Sequence, residues 1–240
     1  MKKLICMLLA LGMVLAMAAC GGNKAQQQDP TTVPATTPTT QATEAPTEAT
    51  QAPTEDAESA AVAELFGTVE GSVYTNTYLG LSFDAGQDMR LLPEEEIQQI
   101  YGAATQLLSK EQAEFAEGAM MMDMLAINGI TGENAILQII NNSLVAIAYN
   151  VQKTAFLNGM ISGSIQSTEK MGCTDVKGEI LEGTFCGKPC DVVLVTGKII
   201  GMDYIQKMFV YSNGSYVICV AFTGFSEEAV EALVARFQAI

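Results

Sequence analysis

The chain has 240 residues and a formal net charge of -15, from 12 basic and 27 acidic residues. It contains no histidine and no tryptophan, so Ser-His-Asp and Cys-His catalysis and imidazole-built zinc sites are excluded. The acidic excess persists in the C-terminal part of the chain and disfavours nucleic acid as a partner, because like charges repel.

Composition shifts divide the chain into three parts. Residues 1–19 carry Lys2 and Lys3 ahead of the apolar run Leu4 to Met17. That run is too short and wrongly flanked for a stable span, and it predicts a cleaved secretory signal. Its end, Met17-Ala18-Ala19-Cys20-Gly21-Gly22, resembles the lipobox of bacterial lipoproteins, which implies that Cys20 is lipidated and becomes the first residue of the mature chain. Two acyl chains contribute about 0.8 kcal/mol per buried methylene, enough for stable anchoring. Residues 20–64 hold Thr/Pro/Glu runs such as Glu44-Ala45-Pro46-Thr47-Glu48 and Gln51-Ala52-Pro53-Thr54-Glu55. With few large apolar side chains they cannot offset ordering entropy, so a disordered tether is expected. Residues 65–240 hold every apolar-periodic segment and should form one globular domain. The expected location is the outer face of the cytoplasmic membrane, held by the lipid on Cys20.

Within the domain, Gly71 to Tyr74 and Tyr78 to Phe83 predict a hairpin joined by Thr75-Asn76-Thr77. Pro93 with Glu94, Glu95 and Glu96 marks a helix start, and Ile97, Ile100, Tyr101, Ala104 and Leu108 follow at helical spacing. Ser109 with Gln112 predicts a second short helix ending near Gly118. Met120 to Ile127 and Asn134 to Ile140 read as paired strands. Leu144 to Met171 reads as a long helix stopping at Gly172. Strands are then expected at Val176 to Phe185, Cys190 to Thr196, Tyr204 to Tyr211 and Tyr216 to Thr223, the last pair turning on Asn213-Gly214. Ser226-Glu227-Glu228 opens a final helix with Val230, Leu233, Val234 and Phe237 on one face.

Strands apolar on both faces imply a sheet covered on both sides. The expected class is α+β, an antiparallel β-sheet sandwiched by helices. The order of elements, the opening Val73-Tyr74-Thr75-Asn76-Thr77-Tyr78-Leu79-Gly80-Leu81-Ser82-Phe83 and the closing Gly214-Ser215-Tyr216-Val217-Ile218-Cys219-Val220-Ala221-Phe222-Thr223-Gly224 resemble PsbP/Mog1-type domains of Gram-positive lipoproteins. Where such domains continue with Pro and Trp, this chain has Asp84-Ala85-Gly86-Gln87-Asp88-Met89. The resemblance implies binding and assembly roles and transfers no functional residue.

Candidate sites are few. Met120, Met121, Met122 and Met124 could offer thioethers to Cu(I), but methionine is first a filler of irregular core gaps. Asp84 and Asp88 lack the spaced oxygen pattern of a calcium loop. Cys186 and Cys190 bracket Gly187-Lys188-Pro189, a three-residue connection expected to set the two thiols opposite each other. They are expected as a free pair or as a reducible, structurally minor disulfide. No cofactor and no metal is expected. The leading reading is a non-catalytic binding or assembly module with a protein or cell-envelope partner. The alternatives are a thiol- or carboxylate-based enzyme and a small solute-binding lipoprotein.

Overall fold

The computed structural model describes residues 64–105, 120–141 and 149–240. The signal segment, Cys20, the tether, the short helix expected from Ser109 to Gly118 and residues 144–148 of the expected long helix lie outside the described residues; within the described part that helix is interrupted at Gln152 and runs from Lys153 to Lys170.

Eleven strands and three helices follow in order among the described residues. They are β1 (Thr68–Glu70), β2 (Val73–Asn76), β3 (Leu81–Asp84), β4 (Arg90–Leu91), α1 (Glu94–Thr105), β5 (Met120–Ile127) and β6 (Asn134–Asn141). Then come α2 (Lys153–Lys170), β7 (Thr174–Phe185), β8 (Lys188–Ile199), β9 (Met202–Asn213), β10 (Tyr216–Gly224), α3 (Glu227–Val234) and β11 (Phe237–Ala239). A seven-stranded sheet runs β4-β5-β6-β10-β9-β8-β7 and a four-stranded sheet runs β1-β2-β3-β11. Every pairing in both is antiparallel, so the class is α+β. Among the described residues no helix is long and apolar enough to cross a membrane.

The large sheet is buried on both faces, as its apolar strands require. One face packs Leu125, Ile136, Val193 and Met208 against Ile97 of α1 and Leu157 and Met160 of α2. The other packs Met124, Leu137, Phe209 and Phe222 against Tyr74, Leu81 and Phe83 of the small sheet, Leu233 of α3 and Phe237 of β11. The second cover is therefore mainly a sheet, where helices on both sides were expected. The cause is local. The expected single hairpin of Gly71 to Phe83 is two, because Asn76 is a buried strand residue whose Oδ1 accepts the Leu79 N–H at 2.8 Å, which moves the turn to residues 77–80. Phe237 is also not a helix residue: α3 ends at Val234, and Phe237 pairs with Phe83 as a strand.

A β-bulge between Met122 and Met124 ties the two layers together. The register shift aims Asp123 at β2, where its carboxylate accepts the Gly67 N–H at 2.9 Å, the Asn76 amide at 2.7 Å and the Tyr74 hydroxyl. The bulge also splits the methionines: Met120 and Met122 face the helices and Met124 faces the small sheet, all buried.

Candidate functional site

The long strands β7 to β10 are joined by tight turns, and the first decides where the site lies. Phe185 pairs with Lys188, leaving Cys186 and Gly187 as a two-residue turn with φ of 49° and 80°. Both central residues with positive φ is the type I′ pattern that matches strand twist. Cys190 stands opposite Gly183, not opposite Cys186. The cross-strand thiol pair expected from a three-residue connection is thus replaced by one turn cysteine and one strand cysteine. Both thiols are free and half-buried. Cys173 and Cys219 are buried, as expected.

Pairing between β8 and β9 runs from Ile199 with Met202 up to Asp191 with Val210 and stops there. Beyond that point β8 stays with β7 through Cys190, Pro189 and Lys188, while β9 stays with β10 through Ser212 and Asn213. Pro189 has no N–H to give to a ladder. The sheet parts there, and a notch of about 570 Å³ opens between the halves. Its lining brings together Tyr149, Lys153, Glu182, Lys188, Cys190, Asp191, Tyr211 and Asn213.

Asp191 is 3% exposed, and a carboxylate so buried must be paired. Lys153 Nζ, from the first turn of α2, lies 2.6 Å from Asp191 Oδ1. The Tyr149 hydroxyl faces Asp191 Oδ2 and lies 3.0 Å from the Val210 carbonyl oxygen. Burial, then the bond to Asp191 and its charge, raise the Tyr149 hydroxyl above the ordinary tyrosine value and keep it protonated.

On the other side of the notch Tyr211 is 5% exposed, and among the described residues its hydroxyl has no hydrogen-bond partner. Burial pushes that hydroxyl up, helped by Cys186 and Cys190 nearby. Lys188 Nζ lies 5.7 Å from the centre of the Tyr211 ring and donates to the Leu79 carbonyl at 2.8 Å. Burial first, then the Asp191 charge, push the Cys190 thiol up to about 11 against the opposing pull of Lys207. Burial likewise raises the Cys186 thiol.

The notch therefore presents two protonated phenols, one protonated thiol and two ammonium groups around the paired carboxylate of Asp191, with Glu182 exposed at its rim. A nucleophilic cysteine needs thiolate at working pH, and both thiols here are shifted the wrong way. A second cavity, of about 360 Å³, is lined by Phe66, Gln98, Tyr101 and Met120 to Met122, with no charged side chain among its described lining residues. Among the described residues no group of three or more Cys, Asp or Glu is placed to hold a metal.

No family model matches the chain, and no curated protein matches it. The chain is similar to cyanobacterial PsbP. The solution structure of that protein from Synechocystis is 11% identical, covers 72% of this chain and 96% of its own, and has a TM-score of 0.37. LpqN of Mycobacterium tuberculosis, described as involved in cell envelope biogenesis, is 12% identical over 66% of this chain and 82% of its own, with a TM-score of 0.36. A Bacteroides thetaiotaomicron structure is 10% identical over 72% of this chain, with a TM-score of 0.36. This chain spans about half the length of that one, 49%.

The sequence reading placed its candidate site at Cys186 and Cys190, and Cys190 does line the notch. It missed Tyr149, Lys153, Asp191 and Tyr211. One signal was available: Asp191 interrupts the apolar strand Cys190-Asp191-Val192-Val193-Leu194-Val195, and a charge inside such a run demands a partner.

Proposed function

We propose that this chain is an extracytoplasmic lipoprotein, anchored through Cys20, whose domain is a non-catalytic binding module with the notch between β8 and β9 as its binding site. One observation carries the reading: the described lining of the notch gathers hydrogen-bond donors around a cavity while its one buried carboxylate, Asp191, is already paired. Such a lining supports binding, and among the described residues its thiol, Cys190, is shifted away from the thiolate that a nucleophile needs. The lipobox-like segment ending at Cys20 supports the anchor.

Two measurements test it. Cell fractionation of Cys20→Ser should release the protein from the membrane fraction, and full retention defeats the anchor. A photo-crosslinking residue at Asn213 should capture a partner in intact cells, with capture reduced by blocking the notch. Dithiol-exchange turnover that disappears in Cys190→Ser defeats the binding module and makes the chain a thiol enzyme.

A further inference from the structure

Among the described residues, the donors and acceptors lining the notch do not balance, and the imbalance names the chemistry of what fits. The Tyr211 hydroxyl is buried and without a described partner. Lys153 is engaged by Asp191, and Lys188 by the Leu79 carbonyl. An ammonium has three N–H donors, so each lysine keeps donors to give. Asn213 adds an amide, which both donates and accepts and so leaves the balance unchanged. On the acceptor side Asp191 is spent on Lys153 and Tyr149, and Glu182 is exposed at the rim, where water screens its charge. A ligand that satisfies this lining brings acceptors, and a negative charge lets it draw on the ammonium groups as well.

We infer that the notch binds a carboxylate-bearing ligand, with the Tyr211 hydroxyl and the neighbouring Lys188 ammonium group donating to its carboxylate. The inference rests on the binding-module reading and narrows it to one ligand chemistry. The neutral thiols of Cys186 and Cys190 add no competing negative charge beside Tyr211. The cavity, about 570 Å³, admits a small acid or the end of a chain and not a folded partner. Two sources offer the same chemistry: the free C-terminus of a peptide and a sugar acid.

The test is calorimetric titration of the full chain with four probes: acetyl-dialanine, acetyl-dialanine amide, glucuronate and glucose. At least one acid should bind about tenfold more tightly than its neutral counterpart, since hydrogen bonds to a charged group are the stronger kind. The pair with the larger ratio identifies the source. Tyr211→Phe should erase most of that ratio by weakening the acid alone, and Lys188→Gln should make the remaining binding less sensitive to salt. Lys198→Gln, which removes a surface charge paired with Asp203 away from the notch, should change neither. Acid and neutral probes binding equally, or an acid preference untouched by Tyr211→Phe, overturn the carboxylate site while leaving a binding notch. Binding by none of the four probes also overturns it, and crosslinking at Asn213 then separates the cases: a captured partner keeps the binding module, and no capture removes both.

Discussion

Replacing Tyr211 by Phe should stabilise the protein. The hydroxyl is buried without a described partner, and leaving such a group unsatisfied costs about 1–3 kcal/mol, whereas an apolar side chain of the same shape is neutral or better. Phe keeps the ring that packs in the core beneath the small sheet. A gain of about 1 kcal/mol follows, raising the midpoint of a domain this size by about 2–4 °C. Tyr149→Phe is the control with the opposite sign. Its hydroxyl faces Asp191 and the Val210 carbonyl, so its loss costs about 1.5–3 kcal/mol and leaves a buried carboxylate short of a donor. Thermal and urea unfolding of the full chain, followed by circular dichroism at neutral pH, compares the two. If Tyr211→Phe loses as much stability as Tyr149→Phe, its hydroxyl has a structural partner, and its role as a donor to a ligand fails.

Alkylation of Cys190 by iodoacetamide should be slow at neutral pH and accelerate about tenfold per pH unit toward about 11, the value to which burial lifts its thiol; fast labelling at pH 7 refutes the shift. At Asp123, burial outweighs the bonds from Tyr74, Gly67 and Asn76 and raises the carboxyl above its ordinary value, so the folded protein holds this proton more tightly than the unfolded chain does. Its contribution to stability is full below the unfolded pKa and is lost as pH rises through the folded one; the stability of Asp123→Asn relative to the parent should therefore improve as pH rises through that window, and urea midpoints across it check the sign. Gly178→Ala should cost about 1–3 kcal/mol, because the new Cβ meets Ile161 Cγ2 of α2 at 2.5 Å and the branched side chain has little room to turn. A midpoint within error of the parent means α2 shifts freely over β7.

Elements whose cause is local were legible in the sequence. Pro93 with the acids Glu94 to Glu96 starts α1, and the Ser226 hydroxyl accepts the Ala229 N–H at 3.1 Å to cap α3. The strands of Met120 to Ile127 and Asn134 onward stand where their apolar runs put them. Three features were hidden because tertiary context overrides the local signal. Phe237 continues the helical spacing of Val230 and Leu233, yet Phe83 claims it for the small sheet. Cys186 accepts a positive φ that nothing in its residue type announces. The buried side of α2 includes Ser164, Ser167 and Thr168, so its inner face gives a weak apolar stripe. The site was harder still, because Tyr149 and Asp191 meet across 42 residues of sequence and no period or motif links them.

The notch is costly to build, which bears on why it is there. If β8 and β9 stayed paired beyond Asp191 and Val210, three more residues on each strand would close their ladder, and apolar side chains in place of Asp191, Lys153 and Tyr149 would avoid desolvating an ion pair. Instead Pro189 withholds a donor, Asp191 stands at the last paired position, and Tyr211 buries a hydroxyl without a described partner, all at one end of one sheet. Six other buried side-chain groups among the described residues, all outside the lining of this cavity, also lack a partner, so it is the coincidence of Tyr211 with Pro189 and the Asp191 ion pair at one cavity that, on the proposed binding reading, exchanges stability for recognition. The exchange has a measurable corollary: substitutions at Tyr211 that raise the unfolding midpoint should be the ones that weaken acid binding, whereas Gly178→Ala, which strains α2 against β7 outside the notch lining, should lower the midpoint and leave acid affinity unchanged.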